Sequence, residues 1–138
     1  MRDVVIDANV AAALLLDLPY SARARDAIRS AERIIAPDIV VHEFANVLWK
    51  LVTGGRMTEG FARRALVALD GLISDFVVGR PIAHDALRIA IEFTHPVYDC
   101  FYLALARERD AILMTADRRL AARVAGSEFA KLLHLIET

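Results

Sequence analysis

Short runs rich in valine and isoleucine recur along this chain, and segments with helical spacing of apolar residues separate them. The first run, Val4-Val5-Ile6, ends at Asp7. Similar runs predict further strands at residues 34–36, 76–78, 111–115 and 132–136. Apolar spacing and capping residues predict helices at residues 9–16, after Pro19, and at 39–52, 58–73, 83–93, 96–109 and beyond Asp117. This alternation predicts parallel β-α-β units, hence an α/β protein with helices on both faces of a central sheet.

The size and composition of the chain predict its organisation. Its 138 residues fit a single domain over residues 1–138. The one cysteine, Cys100, excludes an internal disulfide. The longest apolar run, residues 10–16, is far shorter than the roughly 20 residues that span a membrane. Asp3 and Asp7 interrupt any signal-peptide pattern. We therefore predict a cytoplasmic protein with no membrane partner.

Four acidic residues stand in apolar surroundings, unlike most of the 18 in the chain. Asp7 and Asp117 follow predicted strands, and Glu43 and Asp99 lie inside predicted helices. Ligands gather at the carboxyl ends of parallel strands, which is where Asp7 and Asp117 are expected. Burying a carboxylate is costly, and several close together should raise at least one pKa. A shared cation would offset that cost, and oxygen ligands suit Mg²⁺ or Mn²⁺.

Each of these acids also has an interpretation that involves no metal. Asp7 and Asp117 can be helix N-caps, which contribute about 1 kcal/mol each. Asp99 lies in the first turn after Pro96, where the helix dipole stabilises an anion. Glu43 can face solvent on an amphipathic helix. The metal hypothesis therefore rests on convergence, because two strand ends and two helices are predicted to bring acids to one cleft.

The segments around these acids resemble those of a known family. The opening Val-Val-Ile-Asp7-Ala-Asn9-Val is similar to the start of PIN domains. The same holds for Glu43 on a long third helix, for Tyr98-Asp99-Cys-Phe-Tyr-Leu-Ala-Leu-Ala and for Leu-Met-Thr115-Ala-Asp117. Their order and spacing resemble those of VapC-type toxins, the ribonuclease halves of bacterial and archaeal toxin–antitoxin pairs.

This resemblance implies a fold, an activity and a set of site residues. The fold is a three-layer α/β/α sandwich with a central parallel sheet. The activity is Mg²⁺- or Mn²⁺-dependent endonucleolytic hydrolysis of RNA. The implied catalytic and metal-binding residues are Asp7, Glu43, Asp99 and Asp117, with Asn9 and Thr115 in supporting positions. The alternatives are a housekeeping PIN-domain nuclease and a non-catalytic module that binds RNA or a protein partner.

The predicted partners are RNA, an antitoxin and a second copy of the chain. The resemblance implies a cognate VapB-like antitoxin. The chain is 57% hydrophobic with a mean hydropathy of +0.39, which is high for a small monomer and indicates a buried partner surface. We therefore predict a homodimer, and a groove beside the helices at residues 39–52 and 58–73 that accepts an amphipathic helix of the antitoxin.

Basic residues give a weaker indication of RNA binding. The net charge of −1 neither supports nor excludes an RNA partner, because a metal would neutralise the four acids locally. Arg118 and Arg119 adjoin Asp117 and are predicted to contact RNA phosphates, with simple solvation as the alternative.

The remaining candidates receive no place in the predicted site. His84, His95 and His134 show no metal-ligand spacing. Trp49 and Tyr102 are predicted to be core residues, and a position beside a partner groove is the alternative for both.

Overall fold

A five-stranded parallel sheet forms the centre of the computed structural model, which describes residues 2–138. Its strands are β1 (Val4–Ile6), β2 (Ile34–Pro37), β3 (Asp75–Val77), β4 (Ile112–Thr115) and β5 (Leu133–Leu135). They lie in the order β3-β2-β1-β4-β5, so the first strand of the chain is the central one. In the register, Val5 lies opposite Ile35 of β2 on one side and Leu113 of β4 on the other.

Helices cover both faces of this sheet. They are α1 (Ala8–Leu15), α2 (Ser21–Ala27), α3 (Ile39–Thr53), α4 (Glu59–Leu72), α5 (Ala83–Phe93), α6 (Val97–Arg109) and α7 (Arg118–Val124). Successive side chains of a strand point to opposite faces, yet Val4, Val5 and Ile6 are all buried. The predicted three-layer α/β/α arrangement is therefore confirmed. Two short 3-10 helices, Arg80–Ile82 and Glu128–Leu132, were not predicted.

The turn between α5 and α6 fixes where α6 begins. Thr94 ends α5 in the left-handed conformation, with φ of 51°, which costs a non-glycine residue about 1–2 kcal/mol. Three hydrogen bonds hold this turn. The His95 N–H donates to the Ala90 carbonyl at 3.1 Å, and the Arg123 guanidinium donates to the carbonyls of Phe93 and Thr94. Pro96 then directs the chain into the first turn of α6.

Helix α3 contacts the core through Val40, Phe44 and Leu48, which lie one turn apart and are buried. Trp49 follows Leu48 on the outer side, and 60% of it is exposed. The prediction that Trp49 belongs to the core is wrong, because the face of the helix decides burial and not the size of the side chain. The same prediction for Tyr102 is confirmed, since Tyr102 is only 1% exposed. Among residues 2–138, no helix has the length and hydropathy needed to cross a bilayer.

Candidate active site

One cleft of about 380 Å³ collects acidic side chains from four different parts of the chain. Asp7 follows β1, Glu43 lies on α3, Asp99 lies in the first turn of α6, and Asp117 precedes α7. All four line the cleft together with Asn9. The predicted convergence is therefore confirmed, and the acids meet beside the carboxyl ends of two adjacent strands, as expected for a parallel sheet.

A threonine connects two of these acids. The Thr115 hydroxyl, which is fully buried, donates to Asp7 Oδ2 at 2.6 Å. The Thr115 hydroxyl oxygen in turn accepts the Asp117 N–H at 3.1 Å. Because β1 and β4 are neighbours in the sheet, this one hydroxyl fixes the strand-end residues Asp7 and Asp117 relative to each other. Thr115 therefore contacts two of the predicted site acids, and its supporting role in the site stays a prediction.

Asp7 and Asp117 are also helix N-caps, as the alternative interpretation proposed. Asp7 Oδ1 accepts the Val10 N–H at 2.9 Å, and Asp117 Oδ1 accepts the Leu120 N–H at 3.0 Å. Capping occupies only the Oδ1 oxygen of each carboxylate. Asp7 Oδ2 accepts the Thr115 hydroxyl, and Asp117 Oδ2 takes no part in the cap. The two interpretations are therefore compatible at these residues, because the cap holds the carboxylate in a fixed orientation.

The alternative interpretation of Glu43, in which its side chain faces bulk solvent, does not hold. Its side chain is partly buried, and Oε1 accepts a short hydrogen bond from the hydroxyl of Tyr102 on α6. Helix α6 therefore contributes Asp99 to the cleft and, one turn later, the donor that orients Glu43.

A histidine that the sequence analysis set aside lies against two of the acids. His95 Nε2 lies 2.8 Å from Asp99 Oδ2 and 3.8 Å from Asp117 Oδ2. The ligand atoms of these three residues lie within 4.8 Å of one another, which is close enough for one metal ion. The exclusion of His95 from the site is therefore wrong. Its signal in the sequence was the four-residue separation from Asp99, which a search for paired histidines overlooks.

Burial dominates the electrostatics of the cleft. It raises the pKa of Asp7 to about 6, and the negative charges of Asp99 and Glu43 add to this shift, while hydrogen bonds from Thr115 and Val10 oppose it. Burial likewise raises the pKa of Glu43 and the pKa of Asp99 above their ordinary values. The direction is the one predicted, and burial contributes more to it than repulsion between the acids.

Comparison with known proteins identifies the family of the chain. A sequence profile of the PIN domain matches residues 4–126. The chain belongs to the PIN-domain family. Among its relatives, ribonuclease VapC3 of Pyrobaculum aerophilum is 32% identical over 120 residues, which cover 86% of this chain and 92% of that protein. The predicted resemblance to VapC-type proteins is thereby confirmed.

Solved structures agree with this assignment of the fold. The crystal structure of PAE2754 from Pyrobaculum aerophilum matches this PIN domain with a TM-score of 0.70 and 26% identity, over 91% of this chain and 81% of that one. A toxin–antitoxin complex from Klebsiella pneumoniae matches with a TM-score of 0.70 and 17% identity, over 99% of this chain and 100% of that one. At such identity the second match concerns the fold alone.

The cleft of this PIN domain has the chemistry of a divalent cation site. Four carboxylates line it, and among the residues that the structure describes no lysine or arginine does. The raised pKa values of Asp7, Glu43 and Asp99 show that these three carboxylates gain too little from their protein neighbours to offset burial. Oxygen donors of this kind fit Mg²⁺ or Mn²⁺. A cation supplied from outside the chain would complete the site.

The two arginines predicted to contact RNA lie outside the cleft lining. Arg118 and Arg119 are exposed on the first turn of α7, and the Arg118 guanidinium lies 3.8 Å from a Glu137 carboxylate oxygen. Their position next to Asp117 leaves phosphate contact as a prediction, and solvation remains the alternative.

Proposed function

We propose that this PIN domain is an endoribonuclease that uses Mg²⁺ or Mn²⁺ to hydrolyse RNA phosphodiester bonds, and that it acts as the toxin of a VapBC-type pair. The observation that carries the proposal is the meeting of Asp7, Glu43, Asp99 and Asp117 in one cleft. Its relationship to ribonuclease VapC3 supports RNA as the substrate. The whole chain is proposed to work as one domain in the cytoplasm, where its substrate would be found.

The protein side of this chemistry follows from the hydrogen bonds in the cleft. Asp7, Asp99 and Asp117 would hold the cation, because N–H and O–H donors fix each carboxylate and leave further lone pairs unused. Glu43 would add the fourth negative charge to the lining of the cleft. A bound cation polarises a phosphoryl oxygen and lowers the pKa of a bound water. One carboxylate of the four would accept the proton of the attacking water. Attack by water would leave a 5′-phosphate and a 3′-hydroxyl.

The activity is tested with two forms of one fluorescent RNA, linear and circular. Cleavage of the circle, which has no ends, identifies an endonuclease. We expect cleavage with Mg²⁺ or Mn²⁺ and none with EDTA. Asp99→Asn keeps the shape of the side chain, removes its charge and should lower the rate by orders of magnitude, whereas the exposed Asp70→Asn should not change it. Cleavage by Asp99→Asn at the wild-type rate, or cleavage insensitive to EDTA, would refute the assignment of the site.

An antitoxin partner is proposed because a freely active intracellular ribonuclease would harm its host. The packed pair α3 and α4 exposes Trp49, Phe61 and Val67. Beside this pair lies a groove of about 380 Å³, lined by Val41, Arg63, Leu66, Val67, Leu69 and Asp70. The apolar side chains of this groove would accept the apolar face of an amphipathic helix. A basic side chain of the same partner would pair with the carboxylates of the cleft and compete with the cation.

A homodimer is proposed from a second apolar surface. Leu87 and Ile91 lie one turn apart on α5 and are 52% and 71% exposed, which forms a stripe that a second copy would cover. Sedimentation of the wild type and of Ile91→Asp tests this stripe. A wild-type monomer at micromolar concentration would contradict the proposal.

The toxin role is tested in the host. Expression of the chain alone should arrest growth, expression of Asp7→Asn should not, and co-expression of a short neighbouring reading frame should restore growth. If the wild type is active but harmless and no neighbouring product binds it, a housekeeping PIN-domain nuclease becomes the better account.

A further inference from the structure

His95 lies directly behind two of the cleft carboxylates. Its side chain is 2% exposed, whereas about a third of each of the Asp99 and Asp117 side chains is exposed. The two aspartates line the cleft, and the imidazole does not. His95 therefore contacts the acids from the protein interior, on the side away from the substrate.

The two nitrogens of this ring have different surroundings. Nε2 lies 2.8 Å from Asp99 Oδ2. With Asp99 ionised, as a metal-binding carboxylate is, the carboxylate only accepts and Nε2 is the donor. Nδ1 is buried and, within residues 2–138, has no hydrogen-bond partner. A hydrocarbon side chain would fill the same space without leaving a buried nitrogen unpaired. The presence of an imidazole here is accounted for by what Nε2 does.

The backbone around His95 keeps Nε2 in a fixed place. The His95 N–H donates to the Ala90 carbonyl, and Arg123 holds the carbonyls of Phe93 and Thr94. Asp99 follows within the first turn of α6, and Asp117 is fixed separately through Thr115 and its cap on α7. His95 Nε2 thus hydrogen-bonds Asp99 and lies 3.8 Å from Asp117 Oδ2, which belongs to an independent element.

We propose that His95 is a positioning residue, whose Nε2–H holds Asp99 and draws Asp117 toward the same point, so that both present their free lone pairs to one cation. This inference rests on the proposed metal-dependent function. The ligand oxygens of Asp99 and Asp117 lie within 4.8 Å of each other, and two negative charges at this distance repel. Without the His95 donor, nothing on this side holds the Asp99 carboxylate against that repulsion. Hydrogen bonds to metal-binding carboxylates characteristically set ligand orientation in this way.

Three substitutions separate this role from simple filling of space. His95→Gln places an amide N–H near the position of Nε2, and His95→Asn places the same group one bond short, near Nδ1. His95→Leu fills the space with no donor. For each variant, circular dichroism and a metal-free melt check the fold, and calorimetry measures the Mn²⁺ dissociation constant. We expect Asn and Leu to weaken Mn²⁺ binding roughly 10–100-fold, and Gln to restore binding close to that of the wild type.

Each outcome decides a different point. If the wild type binds no Mn²⁺, the proposed function fails and this inference falls with it. If the wild type binds Mn²⁺ and Asn and Leu bind it equally well, His95 has no positioning role. Nitrogen hyperfine coupling in the electron paramagnetic resonance spectrum of bound Mn²⁺ would make His95 a direct ligand and also overturn the inference. If the Leu variant does not fold, the comparison of Gln with Asn still decides.

Discussion

Replacing Asp7 with asparagine should make the metal-free protein more stable while it abolishes the proposed activity. Burial disfavours the ionised form of Asp7 and raises the pKa of its carboxyl to about 6. Asparagine has the same shape, is an equally good N-cap and carries no charge. Its oxygen can accept from the Val10 N–H and its amide can donate to Thr115, so both contacts of Asp7 have a counterpart in the variant.

The expected gain follows from the pKa of Asp7. A rise from 3.8 to about 6 disfavours the charged form by about 3 kcal/mol, because each pKa unit corresponds to about 1.4 kcal/mol. Hydrogen bonds from Thr115 and Val10 lower the pKa and are already included in this net shift. Asp7 keeps some contact with water in the cleft, so screening reduces the expected gain in the free energy of unfolding to about 2 kcal/mol at pH 8.

This gain depends on pH in a defined direction. Between about pH 4 and pH 6 the native wild type holds a proton on Asp7 that the unfolded chain has lost, so its stability rises as the pH falls through this window. The advantage of Asp7→Asn is therefore complete above about pH 7 and lost near pH 4. Glu43 and Asp99 are present in both proteins, and their contributions largely cancel in the difference.

Urea denaturation in EDTA at several pH values measures this difference. Asp70→Asn, which removes an exposed acid of α4, is the matched control and should lie within about 0.5 kcal/mol of the wild type. Added Mn²⁺ should reverse the order of the wild type and Asp7→Asn, because only the wild type retains the full ligand set. A metal-free Asp7→Asn protein that is no more stable than the wild type at pH 8 would refute the argument that this carboxylate is held at a cost.

Three further predictions concern the same cleft. Mn²⁺ should raise the melting temperature of the wild type by mass action, and calorimetry should detect no such rise in Asp99→Asn. Tyr102→Phe removes the hydrogen bond to Glu43, which lowers the pKa of Glu43. The acidic limb of the pH–rate profile should therefore move to higher pH while the fold survives. An unchanged profile would contradict this. Thr115→Val keeps the shape but removes the hydroxyl that serves Asp7 and Asp117, and chemical denaturation should show a loss of about 1–3 kcal/mol; no loss would mean that the hydroxyl is dispensable.

Most of the fold was predictable because its signals are local. Helices α3 and α4 lie within a residue of the predicted ranges 39–52 and 58–73. Gly54 ends α3, and the Thr58 hydroxyl caps α4 by accepting the Phe61 N–H. The β-branched runs predicted the strands to within a few residues. The two 3-10 helices were missed because such short elements carry no apolar periodicity of their own.

The hydrogen bonds of the site were less accessible to sequence reasoning. The acids themselves stood out because each interrupts an apolar segment. Their donors did not, since Tyr102 is separated from Glu43 by 59 residues and Thr115 from Asp7 by 108. His95 lies four residues before Asp99, but it precedes α6 and pairs with an acid, a combination that a search for paired histidines does not cover. These contacts depend on how the sheet brings distant segments together.

The order of the strands affects when the cleft is completed during synthesis. The central strand is made first, but one of its two neighbours, β4, is made only after residue 111. Until then Asp7 has no Thr115 beside it and Asp117 does not exist in the nascent chain, however much of α1 to α5 has formed. Under the proposed ribonuclease function, this order of assembly withholds the complete set of four acids until late in translation.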